Sequence, residues 1–220
     1  MSNEMNVCRL KAEVTKAEDV MQAFGAEGIA SHAIGCVNWS DSYPYRPEVN
    51  VRIALNADAS AILLHYHVEE QEAKAVFGED NGNVWEDSCV EFFCIPAQDG
   101  IYYNLECNCV GTILMGAGTC KQDRQRAQAD VLRTIQRWSS LGNQPLPSLR
   151  PARWDVCLIV PVTAFFKHRL TSLDTPSIRA NFYKCGDHLD VPHFLSWSPI
   201  RLDKPNFHCP DFFGTLNLAD

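Results

Sequence analysis

Short runs of β-branched and aromatic residues, each closed by a turn, recur along this chain from residue 49 to its end. No other feature restricts the fold as much. Strands without long helices between them bury their apolar faces by stacking sheet on sheet. Runs 49–55 and 61–68 flank Asn56-Ala57-Asp58, a hairpin connection. Runs 88–95 and 101–115 flank a turn at 96–100. The run 153–161 is apolar on both faces, the pattern of a central strand covered on both sides. Runs 179–185 and 212–218 complete the set.

Two segments carry helical spacing instead. Thr15 to Glu18 fits a capping box, with Val20, Met21 and Phe24 following, so a short helix is expected over 16–24. Val131, Leu132, Ile135 and Trp138 predict a second helix within 123–140. The proline-rich stretch 144–151 reads as a loop. The expectation is an all-β, antiparallel β-sandwich, a single domain over 1–220 with one or two short peripheral helices.

Composition narrows the partners. The chain has 220 residues, 46% hydrophobic and 21% charged, enough to bury a core without disulfides. A net charge of -8 argues against a nucleic-acid partner, which calls for a basic patch. No apolar run approaches the ~20 residues of a membrane span. Glu4 and the lack of an apolar stretch near the start argue against a secretory signal, so a cytoplasmic setting is expected. The ten cysteines fall mostly inside apolar or alternating runs and read as reduced core thiols.

One strand carries a contradiction. In Val84 to Cys94, Val90, Phe92 and Cys94 share one face, while Asp87, Cys89, Glu91 and Phe93 share the other. A carboxylate in a dry core without a partner is costly. Glu91 is therefore expected to be partly exposed or paired with a donor such as Arg179, with Val90 and Phe92 inward.

Polar residues line up on two further strands. Asn104, Glu106 and Asn108 share a face, as do Arg179, Asn181 and Tyr183. Amides, carboxylates and guanidinium groups suit a hydroxyl-rich ligand, although a plain solvated face has the same pattern. Trp154 reads as core and Trp138 as the anchor of its helix. Trp39, Trp85 and Trp197 lie near polar or turn residues, where a ring can stack on the apolar face of a ligand.

Catalytic patterns are poor. The chain lacks GxSxG, HExxH, CxxCH and phosphate-loop motifs. Asp87 and Glu91 would have Cα atoms about 13 Å apart on a strand, beyond the ~5–10 Å expected of a glycosidase pair. His65 with His67, and Cys107 with Cys109, each offer two metal donors on one face but no further ligands. The turn 79–83, Glu-Asp-Asn-Gly-Asn, could be a calcium loop but reads more simply as an acidic turn.

Val84-Trp85-Glu86-Asp87-Ser88-Cys89-Val90-Glu91-Phe92-Phe93 resembles a motif of family 9 carbohydrate-binding modules and their DOMON-like relatives. The resemblance extends to Tyr102–Asn108, to Trp154 with Ile159-Val160-Pro161, and to the stretches 180–187, 192–200 and 207–214. It covers the chain from about residue 30 onward and is closest to a bacterial subgroup found as stand-alone chains. The resemblance implies a DOMON-like or immunoglobulin-like β-sandwich, no catalysis and no cofactor, although calcium can be structural. It implies a saccharide gripped between two tryptophans in the service of carbohydrate metabolism. Trp85 and Glu91 stand at the stacking and hydrogen-bonding positions, and Trp197 is the candidate second platform. With Asn104, Glu106, Asn108, Arg179 and Asn181 they form the expected ligand set. Other DOMON relatives bind haem through Met and His, which makes Met115 an alternative ligand. A structural interaction domain is the third reading.

Overall fold

The computed structural model describes residues 3–218. The early strands are β1 (Glu4–Val7), β2 (His32–Ala33), β3 (Cys36–Val37), β4 (Glu48–Leu55), β5 (Ala61–Glu70) and β6 (Ala73–Ala75). The middle of the chain forms β7 (Cys89–Ile95), β8 (Tyr102–Asn108), β9 (Ile113–Gly118), β10 (Gln125–Arg126), β11 (Gln136–Ser139) and β12 (Leu146–Leu149). The last strands are β13 (Ala152–Pro161), β14 (Ser177–Cys185), β15 (Phe194–Ser196) and β16 (Gly214–Leu218). Two short helices, α1 (Val20–Ala26) and α2 (Ala129–Thr134), lie between them.

The strands build a β-sandwich. A nine-stranded sheet runs β1-β16-β14-β7-β8-β9-β10, with β15 and β3 attached beside β14. A five-stranded sheet runs β11-β13-β5-β4-β2. Nearly all pairs are antiparallel; β1 lies parallel to β16. Val90, Phe92, Tyr103, Leu105 and Met115 from the first sheet meet Val51, Tyr66, Trp154, Val156 and Leu158 from the second in one buried cluster. Phe92 stacks on Phe182 at 5.2 Å within it.

Both sheets are also covered on their outer faces, which explains the doubly apolar strands. On β13, Cys157 and Ile159 face outward and pack against Val20 and Phe24 of α1. On the first sheet, Cys89, Phe93, Tyr102, Tyr183 and Cys185 pack beneath Val84, Ile200, Phe207 and Phe213. Glu91 therefore sits on a roofed face, not on a solvated one.

Three local expectations are corrected. The stretch 144–151, read as a loop, contains β12, which pairs antiparallel with β6. The first helix begins as a 3-10 turn at Ala17–Asp19 and continues as α1, without a side-chain cap. The second is shorter than its apolar spacing predicts. After Thr134 the backbone extends, and residues 136–139 pair antiparallel with β13, Trp138 opposite Cys157. The open edge of the second sheet offers a complete set of hydrogen bonds there, and Trp138 still reaches the cluster under α1. The ten cysteines are free and six of them are buried.

An ion pair lies inside the sandwich. Lys184 is fully buried, with its ammonium 2.9 Å from Glu70 and 2.8 Å from His193 Nε2. Trp154 Nε1 donates to the other Glu70 oxygen at 2.7 Å. A buried charge of this kind is tolerated only with such partners.

Candidate functional site

The motif around Trp85 divides into two jobs. Asp87 is fully buried and its carboxylate accepts from Val76 N at 2.9 Å, Phe77 N at 3.1 Å and Asn108 Nδ2 at 2.9 Å. Ser88 Oγ donates to Glu72 O at 3.2 Å. These residues tie the segment 72–77 to the sheet. Trp85, on a 3-10 turn at Val84–Glu86, and Glu91, on β7, instead line a cleft of about 400 Å³ over the outer face of the first sheet.

The floor of that cleft is acidic. Glu91 and Glu106 are register partners on β7 and β8, each 3% exposed. Cys185 donates its thiol proton to Glu91 Oε1 at 3.1 Å, and Asn104 Nδ2 donates to Glu106 Oε1 at 2.9 Å. The second oxygen of each carboxyl is buried without a hydrogen-bond partner among the described residues. Burial, then the neighbouring Glu106, pushes the Glu91 carboxyl well above the usual range. Burial pushes Glu106 up to about 7 against the pull of Arg124 and Arg126. Asp187 at the rim is raised to about 6 by burial.

The walls are aromatic and basic. Half-buried Trp85 forms one side, with the guanidinium of Arg126 5.7 Å from its ring centroid, a cation–π contact. Tyr43, Phe194 and Phe207 also line the cleft. Tyr43 meets Phe194 edge-on at 4.7 Å, and Phe207 stacks on Tyr183 at 4.2 Å. Lys121 and Arg124 complete the rim from a loop closed by Asp123, which accepts from Thr119 N and Cys120 N. His208 lies 3.1 Å from the Tyr102 hydroxyl, and burial with the nearby cations lowers its pKa to about 3.

The structure brings three of the eight expected site residues to the cleft: Trp85, Glu91 and Glu106. Asn104 supports Glu106 from one layer back. Asn108 is spent on Asp87 and on Phe77 O at 2.9 Å. Arg179 does not meet Glu91; it donates to the carbonyls of Phe213 and Gly214 at 3.2 and 3.3 Å. Asn181 Nδ2 donates to Ser198 O at 3.0 Å. Trp197 is no platform. It is 5% exposed, packs edge-on against Phe182 at 5.7 Å, and lies so close to Gly214 that a Cβ there would stand 2.4 Å from its ring. Glu91 itself is 3% exposed and, among the described residues, in no salt bridge, contrary to expectation, although Val90 and Phe92 do point into the sandwich. The residues missed are Tyr43, Phe194 and Phe207, brought together only by the fold, and Lys121, Arg124 and Arg126. A basic run in an acidic chain was the available signal for the latter.

The acidic turn and Met115 do not fit the groups weighed for them, and the histidine pair is engaged with a carboxylate. In the turn 79–83, both Asp80 oxygens are taken by Arg137 at 2.7 and 2.8 Å and Asn81 Nδ2 donates to Ala127 O, so the turn is not a calcium cradle. His65 and His67 both bond Asp155 at 2.8 Å. Met115 is fully buried between the sheets, out of reach of an open haem face.

Comparison with known proteins agrees with this architecture. The profile of "Carbohydrate-binding family 9" matches residues 18–218. The chain belongs to carbohydrate-binding family 9. A Bacteroides uniformis protein proposed to bind carbohydrate has a crystal structure with a TM-score of 0.95 and 45% identity, covering 100% of both chains. Two family 9 structures from Caldicellulosiruptor kristjanssonii share the fold at a TM-score of 0.64. The one in complex with glucose is 10% identical and covers 99% of this chain and 96% of its own. The one in complex with cellotriose is 11% identical and covers 98% and 93%. No curated protein matches the sequence.

Proposed function

We propose that this family 9 chain binds a carbohydrate, without catalysis, in the cleft between Trp85 and the Tyr43–Phe194–Phe207 wall. The observation that carries the reading is the pair of buried, unpartnered carboxyl oxygens of Glu91 and Glu106 beneath a half-buried tryptophan. A protonated carboxyl both donates and accepts, as a sugar hydroxyl does. Trp85 supplies a flat apolar surface for the C–H face of the ring. A volume of about 400 Å³ lies within the roughly 300–1,000 Å³ of small-ligand sites. The family 9 relatives bound to glucose and cellotriose support the choice of ligand class.

Calorimetry against a panel of mono- and oligosaccharides tests the reading. Binding should be measurable in the wild type and lost in Trp85→Ala with the melting temperature little changed, and incubation should release no shorter sugar. No binding to any sugar, or binding unaffected by Trp85→Ala, refutes it.

A further inference from the structure

The floor of the cleft holds a metal-type donor set that shares Glu91 with the proposed sugar site and adds two thiols to it. Cys89 and Cys185 are register partners across β7 and β14, and Glu91 follows Cys89 by two residues on the same face. Cys89 is 0%, Cys185 1% and Glu91 3% exposed. One ligand atom from each, two sulfurs and a carboxyl oxygen, lies within 4.8 Å of the others, with Cys185 Sγ 3.1 Å from Glu91 Oε1. Zinc bonds of ~2.3 Å to sulfur and ~2.0–2.2 Å to oxygen, set tetrahedrally, put donor atoms about 3.3–3.8 Å apart. The set therefore closes by side-chain adjustments of about 1 Å or less. A second observation points to a ligand at the same place: Glu91 Oε2, the oxygen also offered to the sugar, is buried without a hydrogen-bond partner among the described residues.

We propose that Cys89, Glu91 and Cys185 form a three-ligand site for a soft divalent cation of the zinc class, its fourth coordination position open to the cleft. Two thiolates with one carboxylate select zinc-like ions over calcium or magnesium, which prefer all-oxygen cages. Both thiols and the Glu91 carboxyl release their protons to solvent as the metal binds. The donors sit on adjacent strands at the centre of a sheet, so their geometry is fixed by the ladder rather than by a loop. Other core thiols lack this arrangement: Cys94 and Cys107 face the apolar interior between the sheets, with Val90 and Phe92. Glu91 and Cys185 both line the cleft, so a water or a ligand hydroxyl can complete the tetrahedron.

The test is a cobalt(II) titration of the reduced, chelator-stripped full chain. The expected result is the visible spectrum of tetrahedral thiolate-bound cobalt, saturating at one equivalent and displaced by zinc. Cys185→Ser and Glu91→Gln should each weaken binding by more than the roughly 10–100-fold that loss of an outer-shell partner costs. The surface variants Cys8→Ser and Cys120→Ser should leave it unchanged. Glu91→Gln preserves the shape of the floor and decides the matter even where a serine variant fails to fold. No tetrahedral spectrum, a spectrum that survives Glu91→Gln, or one lost in the surface variants overturns the proposal. Sugar titration of the metal-stripped chain reads the carbohydrate function separately.

Discussion

At the scale of the residue, two tryptophans that look alike in sequence do different work. Trp197 fills the core between Phe182 and Gly214, and Trp85 walls the cleft. Trp197→Ala should cost about 3–5 kcal/mol of stability, the usual loss for a buried aromatic ring. Chemical denaturation checks this; a loss under about 1 kcal/mol would place the ring outside the core. The Glu106 carboxyl makes a second test. Its native pKa of about 7 lies above the ordinary 4.5. A raised carboxyl pKa contributes stability that is full below the unfolded value and is lost as pH rises through the native one. Removing the carboxyl as Glu106→Gln should thus raise the melting temperature relative to wild type progressively from about pH 5 to about pH 8. Removing Glu106 also relieves the repulsion that raises Glu91, which shifts the difference in the same direction. A flat difference would mean that Glu106 is not held protonated.

At the scale of the element, the anchoring of β7 is the sensitive point. Asp87 accepts from two part-buried backbone N–H groups and from the Asn108 amide, which keeps Phe77 O as a second acceptor. An unsatisfied buried donor costs about 1–3 kcal/mol, so Asp87→Ala should lose about 1–3 kcal/mol. Denaturant unfolding checks it, and near-wild-type stability would contradict the clamp. The strands themselves were legible, because alternation and apolar runs report directly on faces that a sheet must bury. Residues 153–161 showed a doubly covered strand, and β13 is covered by the opposite sheet and by α1. The stretch 123–140 misled, because Val131, Leu132, Ile135 and Trp138 serve a one-turn helix and then an edge strand. Pairing with β13 is a long-range event that local spacing does not encode.

At the scale of the whole molecule, the cleft is a product of the roof over the first sheet. Its floor was readable: Glu91 and Glu106 fall on cleft-facing positions of β7 and β8, as period-two counting indicated. Its far wall was not, since Tyr43 and Phe194 are distant in sequence and meet only because β3 and β15 pair at the sheet's end. The same roof explains why Arg179 and Asn181, polar and aligned, are absent from the site. Their groups satisfy carbonyls in the covering segment 198–214.

The central claim is that Glu91 and Glu106 meet a sugar under Trp85. A crystal structure of the chain soaked with the tightest-binding saccharide measures this directly. The account predicts a sugar ring against Trp85, with hydroxyls within hydrogen-bond distance of the free oxygens of Glu91 and Glu106. A saccharide bound elsewhere, with those two oxygens still unpartnered, would contradict it.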